Sequence, residues 1–236
     1  MFIIQTTMIL NTLIPLLFSN IHPSITNAHL KTNSCPSIMP MSNLNTTEYI
    51  RASWYIQEQQ ITSYQPENTL YCVTQTLNRT NRTVPLFTGP VIEVFNYGNV
   101  DSANGHQENE NNFTLCARQV NSSNPGMILN GPCFLPNNFA GPYWVIAAGP
   151  ESHNYTWAIV SGGPPTVRYQ DGNCSTSLRG INGSGLWLFT RNSYGQDVNY
   201  LTGMMRDMLR QMGYSVSQLL DVVHRNCSYT GAYIKY

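Results

Sequence analysis

Six cysteines carry the clearest chemistry of this 236-residue chain, and that chemistry is oxidation to disulfides. None of them forms the C-x-x-C or similar spacing that is typical of metal sites. An even number, spread along the chain, predicts three disulfides in an oxidising compartment, and six cysteines allow 15 pairings. The six are Cys35, Cys72, Cys116, Cys133, Cys174 and Cys227.

The remaining side chains form no recognisable catalytic motif. The sequence has no G-x-S-x-G, H-E-x-x-H or P-loop motif. Its histidines are scattered: two lie in or next to the N-terminal apolar segment, and we expect the other three at the surface. We therefore predict that the protein is not an enzyme and has no catalytic residue, metal site or cofactor. The histidines are His22, His29, His106, His153 and His224.

The N-terminus and the glycosylation sequons both indicate a secreted glycoprotein. The first 30 residues contain no Asp, Glu, Lys or Arg, and an apolar run over residues 8–18 leads to a small-residue site near Ala28. This pattern predicts a secretory signal peptide over 1–28, and an uncleaved membrane anchor is the alternative. Nine N-x-S/T triplets predict N-glycosylation. They begin at Asn45, Asn78, Asn81, Asn112, Asn121, Asn154, Asn173, Asn182 and Asn226.

Charge and length limit the partners and the number of domains. The formal net charge is zero and only 10% of residues are charged, so no basic stripe for nucleic acid exists. No segment after the signal peptide is long and apolar enough to span a membrane. The mature chain of about 208 residues fits one domain. We expect an N-terminal arm over 29–48, the folded domain over 49–228 and a tail over 229–236.

Short runs of aromatic and β-branched residues, separated by Asn, Gly and Pro, predict an all-β protein. A long loop over 162–184 interrupts them, and loops of that length are usually functional or mobile. The predicted strands are 53–61, 69–78, 90–97, 112–119, 126–130, 142–148, 154–161, 185–191 and 217–224.

One segment, 197–212, has the spacing of an amphipathic helix, and Gly213 follows it where a helix commonly ends. Its methionine-rich stripe indicates either a face packed on the core or, less commonly, a binding groove. We expect it to pack on an apolar strip formed by Ala158, Val160, Leu186 and Leu188. The stripe is Val198, Leu201, Met205, Met208, Leu209 and Met212.

The sequons also predict which face of each strand points inward. A glycosylated Asn must face solvent, and side chains alternate along a strand. Outward Asn78, Asn112 and Asn154 would turn the aromatic residues of their strands inward, provided that no bulge interrupts the alternation. The inward sets are then Tyr71, Val73, Gln75 and Leu77; Phe113, Leu115 and Ala117; and Tyr155, Trp157 and Ile159.

Trp54 in an early strand and Arg191 at the end of a late strand suggest a sheet that meets itself. Such a sheet is a closed barrel. Trp187, Phe189 and Arg191 share one face, and an inward Arg would stack on Trp54 in a cation–π contact worth roughly 0.5–2 kcal/mol. The alternative is that Arg191 is a strand-end residue in solvent.

These two ends resemble those of the lipocalins, in particular the apolipoprotein D and bacterial lipocalin branch. Tyr49-Ile50-Arg51-Ala52-Ser53-Trp54-Tyr55 looks like the family's first strand, with Ala52 in place of its Gly. The last long strand, the helix and the final strand follow the family's order. The resemblance covers most of 35–228. It implies an eight-stranded antiparallel up-and-down barrel with one C-terminal helix packed outside and a final short strand.

The same resemblance implies a role for Trp54 and Arg191 and a pairing for the cysteines. Trp54 and Arg191 would form a structural plug at the closed end of the barrel. The disulfides would be Cys35–Cys174 and Cys72–Cys227, which leaves Cys116–Cys133.

The lipocalin resemblance further implies a secreted protein that binds and carries a small hydrophobic ligand in the barrel, such as a lipid, sterol, retinoid, bilin or carotenoid. Glu58 and Gln75 are the expected polar anchors. The apolar lining residues could instead simply fill a core. They are Ile56, Tyr71, Val73, Phe113, Leu115, Tyr155, Trp157, Trp187 and Phe189.

Two other functions remain as alternatives. Violaxanthin de-epoxidases carry a similar domain with a Gly-rich insertion before the last long strand, which would make the chain an enzyme acting on a carotenoid. The 162–184 loop could also present an interaction surface on the barrel as scaffold.

Overall fold

The computed structural model describes residues 34–107, 114–180 and 182–236. A helical turn, α1 (Thr46–Tyr49), precedes the strands, and the long helix α2 (Gln196–Gln211) follows most of them. The strands are β1 (Trp54–Gln60), β2 (Tyr71–Arg79), β3 (Val91–Val100), β4 (His106–Gln107), β5 (Thr114–Gln119), β6 (Met127–Pro132), β7 (Gly141–Glu151), β8 (Asn154–Ser161), β9 (Val167–Arg168), β10 (Cys174–Ser175), β11 (Leu186–Thr190) and β12 (Leu219–Asp221).

Eight antiparallel strands close into a barrel. Neighbours pair in the order β1, β2, β3, β5, β6, β7, β8, β11, and β11 returns to pair with β1, with Tyr55 opposite Thr190. The predicted barrel with an external C-terminal helix and a final short strand is confirmed. We call the end at α1 and the start of β1 the closed end. The loops that follow β1, β3, β6 and β8 lie at the opposite, open end.

The long loop after β8 is more ordered than its composition predicts. It contains the two-stranded sheet β9–β10, with Cys174 opposite Arg168. Gln60 fastens this segment to the barrel, because its amide donates to the Thr176 carbonyl at 2.9 Å and accepts from the Ser175 and Thr176 hydroxyls. The loop is therefore tied to the wall of β1.

Helix α2 packs on the outer face of the barrel, as its stripe predicts. Val198, Met205 and Leu209 are its buried residues, and the last two pack with Leu186 and Leu188. Gly213 follows the helix with φ +84°, a left-handed conformation that glycine adopts without strain. The methionine stripe is thus a core face.

The prediction for the β8 part of this outer face is wrong. Ala158 and Val160 pack in the interior cluster, whereas Trp157 and Ile159 lie under the helix. The cause is a bulge at Thr156: Pro150 pairs with Tyr155 but Gly149 pairs with Trp157. Gly149 makes room for the outward indole, since a Cβ at that position would lie 2.5 Å from the Trp157 ring.

The C-terminal segment fills a gap in the wall between β1 and β2. The Val222 N–H donates to the Gln57 carbonyl at 2.9 Å, and the Val223 N–H donates to the Leu70 carbonyl at 2.9 Å. His224 follows, and the expectation that it lies at the surface is wrong, because it is only 6% exposed. Backbone groups that the splayed strands would leave unpaired are therefore satisfied by residues 222–223.

Three disulfides tie the segments outside the barrel to one another or to its strands. Cys35–Cys174 ties the N-terminal arm to the β9–β10 segment, Cys72–Cys227 ties β2 to the C-terminal segment, and Cys116–Cys133 joins β5 to the loop after β6. These are the pairs that the lipocalin resemblance implies.

Several expectations concern segments or modifications that the structure does not test. The signal peptide over 1–28, His22, His29 and Asn112 lie outside the described residues. Of the other sequon asparagines, Asn173 is half-buried and the rest are exposed, and their glycosylation stays a prediction. Neither helix of the described residues has the length and apolarity needed to cross a membrane.

We expect Met205→Ala to lower the free energy of unfolding by about 2–4 kcal/mol, because it opens a cavity beneath α2. Tyr200→Ala is the matched control, since Tyr200 lies on the same helix and is 73% exposed; it should change stability by less than about 0.5 kcal/mol. Chemical denaturation measures both. Equal effects would show that α2 does not dock through this face.

We expect His224 to make the protein less stable in acid. The ring Nε2–H donates to the Ile56 carbonyl at 2.7 Å, so Nδ1 of the neutral ring accepts from the Tyr229 hydroxyl at 2.6 Å. Burial lowers the pKa of His224 from 6.5 to about 4. Only the unfolded state takes up this proton between those values, so stability is complete above pH 6.5 and falls by about 1.4 kcal/mol per unit as the pH drops toward 4.

His224→Gln should remove this part of the pH dependence, and His153→Gln should keep it, because His153 is an exposed histidine at the turn between β7 and β8. Urea unfolding at pH 7 and pH 4.5 provides the comparison. The assignment fails if the pH dependence is the same in His224→Gln and wild type.

Candidate functional site

The closed end of the barrel is sealed by Arg191 and Trp54. The guanidinium carbon lies 3.3 Å from the centre of the Trp54 ring. Each of the five N–H donors of the side chain has a carbonyl acceptor. The acceptors are the carbonyls of Glu48, Tyr49, Ala52, Ser53 and Tyr155.

Burial sets the charge properties of this plug. Desolvation lowers the pKa of Arg191 to about 9, although the nearby phenol of Tyr49 acts in the opposite direction. The carbonyl dipoles and the face of the indole replace the water that the cation loses. The arrangement has no free donor for a ligand, which makes Arg191 and Trp54 structural.

A hydrogen-bonded layer crosses the barrel on the open-end side of the plug. Tyr143 of β7 donates to Gln75 Oε1 of β2 at 2.6 Å, and Gln75 Nε2 donates to Asn96 Oδ1 at 3.0 Å. The Tyr49 hydroxyl lies 2.7 Å from that of Tyr143. Strands β2 and β7 are four strands apart in either direction, so the first bond joins opposite walls. We call these four residues the floor layer.

The floor layer changes the role of Gln75. It was expected to anchor a ligand, but its amide is 6% exposed and is already bonded on both sides. Burial raises the pKa of the Tyr49 and Tyr143 phenols, so both remain neutral donors. Gln75 thus belongs to the layer that separates the plug from the rest of the interior, and both sides of its amide are already bonded.

The interior on the open-end side of the floor layer is the candidate ligand chamber. Val73 lies two residues beyond Gln75 on β2, Trp187 is four residues beyond Arg191 on β11, and both are in the interior cluster. The Trp187 ring covers Gly185, where a Cβ would lie 2.0 Å from it. Ile56 and Phe189 pack in the same cluster at the level of the plug, where the Phe189 and Trp54 ring centroids are 6.0 Å apart.

Two inward residues on the opposite wall remain half-buried. Leu115 packs against the interior cluster from β5, and Asn130 of β6 lies opposite Ala117, which is also in that cluster. Both retain intermediate exposure although their strands are in the middle of the wall. Both side chains therefore remain accessible on the open-end half of this wall.

The polar residue that β1 supplies to the chamber is Gln59, and the prediction of Glu58 is wrong. A bulge at Gln57 shifts the register, so that Glu58 pairs with Leu188 on the outer face and Gln59 pairs with Trp187 on the inner face. Glu58 forms an ion pair with Arg206 of α2. Its burial under the helix raises its pKa, and Arg206 opposes that rise.

Three other predicted lining residues do not face the chamber in the described structure. Trp157 lies under α2, and the β8 bulge explains that correction. Tyr71 is half-buried opposite Asn99, because the register of β2 shifts next to Cys72, whose φ is +55°. Tyr155 belongs to the closed end, where its hydroxyl accepts from the Asn45 N–H at 3.1 Å. Phe113 lies outside the described residues.

The open end has features that the sequence reasoning missed. The Trp187 indole donates to Gln65 Oε1 of the loop after β1 at 3.3 Å, which brings that loop over the chamber. Phe134 and Phe139, in the loop between β6 and β7, are 69% and 61% exposed. Two exposed phenylalanines near the mouth of a barrel form an apolar rim.

Two surface depressions at the closed end have a suitable size but an unsuitable lining. Their volumes are about 340 and 520 Å³, and Arg51 and Lys235 line both. Desolvation lowers the pKa of Lys235, with Arg191 contributing. An apolar molecule would desolvate these cations, so the chemistry of the lining favours the interior chamber.

The described residues contain no group of three or more His, Cys, Asp or Glu side chains that could hold a metal ion.

Comparison with solved structures places this barrel in a known fold. Insecticyanin from the tobacco hornworm Manduca sexta aligns with a TM-score of 0.50 at 10% identity, over 81% of this chain and 87% of that protein. The chain has the lipocalin fold. Lobster apocrustacyanin A1 aligns with a TM-score of 0.49 at 13% identity, over 84% and 95% of the two chains.

Sequence comparison adds nothing to this assignment. No protein-family model matches the chain. No curated protein matches it either. At these identities, the structural likeness establishes the lipocalin fold alone, and the ligand has to be argued from the residues of this chain.

We expect Arg191→Lys to lower the free energy of unfolding by about 3 kcal/mol, because an ammonium cannot reach the five carbonyls of the plug. Arg179→Lys, an exposed substitution in the loop before β11, should be neutral. Thermal unfolding measures both variants. A neutral result for Arg191→Lys would show that the plug contributes little to stability.

Proposed function

We propose that the protein is a secreted lipocalin that binds and carries a small hydrophobic ligand in the chamber above the floor layer. The observation that carries this proposal is the half-buried state of Leu115 and Asn130, which face the interior of a closed barrel. Val73, Trp187 and Leu115 give this part of the interior an apolar lining, and such a lining favours an apolar occupant.

The covalent features support the secreted part of the proposal. All six cysteines are paired in disulfides, which persist in oxidising compartments. Seven of the nine sequon asparagines are exposed, where glycans could be attached. These properties fit a carrier that works outside the cell.

The two alternative functions find less support in the geometry. A de-epoxidase-like reaction needs an acidic residue in the chamber, but the β1 carboxylate expected there, Glu58, lies under α2 and pairs with Arg206. An interaction module would use the 162–184 loop, which Gln60 and Cys35–Cys174 hold against the barrel. Neither alternative accounts for the half-buried state of the inward Leu115.

The neutral dye Nile red tests the proposal, because its fluorescence rises when it enters an apolar site. We expect saturable binding of one dye per chain. Leu115→Trp should weaken it by about tenfold or more, because the larger side chain fills the chamber. Leu86→Trp is the matched control, since Leu86 is 96% exposed and lies in the loop between β2 and β3.

Thermal unfolding of both variants shows whether they remain folded. Absence of saturable dye binding by the wild-type chain would refute the carrier function. Equal dye affinity in folded Leu115→Trp and Leu86→Trp would show that the dye binds elsewhere.

A further inference from the structure

We infer that the chamber selects an uncharged ligand with a hydroxyl or carbonyl group, and that the amide of Gln59 recognises this group. The inference rests on the proposed function and makes it more specific, because fatty acids and other carboxylates are then poor ligands.

Gln59 is a fully buried amide without a partner. Its exposure is 0%, and neither Oε1 nor Nε2 has a hydrogen bond within the described residues. It lies on the inner face of β1, opposite Trp187 of β11 and Leu220 of β12. Buried amides are almost always bonded, since an unpaired one destabilises the folded protein.

The other two glutamines of β1 show that the missing hydrogen bonds of Gln59 depend on its position and not on its residue type. The Gln57 amide donates to the Thr190 hydroxyl at 2.8 Å. Gln60 bonds to the segment around Thr176 on the outside of the barrel. Of three glutamines in β1, only the one that faces the chamber is left without a partner.

A second unpaired amide oxygen faces the same space from the opposite wall. Asn130 Oδ1 is buried and has no hydrogen bond within the described residues. Strand β6 is four strands from β1 in either direction around the barrel. Both of these unpaired groups are neutral amides, which can bond to hydroxyl groups, and Gln59 can also donate to a carbonyl.

Three arginines that contact the barrel have their partners away from the chamber. Arg191 is below the floor layer, and all its N–H groups are bonded to carbonyls. Arg206 lies outside with Glu58, and Arg118 donates to the carbonyls of Pro132 at the end of β6 and Leu135 in the loop after it. A carboxylate in the chamber would lose its water without gaining a counter-ion, which costs several kcal/mol.

Displacement of Nile red by 1-decanol and by decanoate at pH 7.4 tests the selection, because the two differ mainly in the charge of the head group. We expect decanol to compete at least tenfold better in the wild-type chain. Gln59→Leu should weaken decanol by about fivefold to tenfold.

Stability of the ligand-free protein provides an independent readout. Gln59→Leu removes an unpaired amide from an apolar site, so its melting temperature should equal or exceed that of the wild type. Gln75→Leu is the matched control, because it removes a buried amide that is bonded in the floor layer, and its melting temperature should fall.

Four results would overturn the inference. These are equal displacement by the two compounds (including none by either), unchanged decanol affinity in Gln59→Leu, decanoate binding better than decanol, and a melting temperature lowered as much by Gln59→Leu as by Gln75→Leu. Any of them would leave the carrier function intact as long as wild-type Nile red binding is saturable and lost in Leu115→Trp. Loss of saturable dye binding itself would refute both proposals.

Discussion

The rest of the structure depends on how the charge of Arg191 is accommodated when the sheet closes. The cation is removed from water at one end of the barrel, and backbone carbonyls rather than a carboxylate accept its hydrogen bonds. Four carbonyls from residues 48–53, one carbonyl from Tyr155 of β8 and the face of Trp54 take over its solvation. Helix α1, the start of β1 and β8 must therefore all be in position before the barrel is sealed. A closed end built in this way leaves only the other end for exchange of a ligand.

Strands, helix and barrel closure could be predicted because their signals are local or lie at the chain ends. Whether an individual side chain points into or out of the barrel could not be predicted, since one bulge reverses every later side chain in its strand. The bulge at Gln57 moved Glu58 outside and Gln59 inside, and the bulge at Thr156 did the same for Trp157 and Ala158. Four consecutive polar residues from Gln57 to Gln60 depart from the usual alternation of apolar and polar side chains in a half-buried strand, and this departure was a detectable warning.

Contacts across the barrel could not be predicted from the sequence, for a different reason. The floor layer joins α1, β2, β3 and β7, and nothing in the local sequence around Gln75 or Tyr143 indicates that they meet. The disulfide pairs were predicted from the lipocalin resemblance rather than from spacing, which left 15 possibilities open. Position in a closed fold, and not residue type, determined whether Gln75 was free to bind a ligand.

Polar groups become less well satisfied along the barrel axis toward the open end. At the closed end, Arg191 has every donor bonded, and in the floor layer Gln75 is bonded on both sides. Beyond it, the Gln59 amide has no partner within the described residues. If folding alone had shaped the interior, an apolar residue at position 59 would be more stable. A polar group retained at a cost in stability, on the side where exchange is possible, is what a binding site requires and a packed core does not.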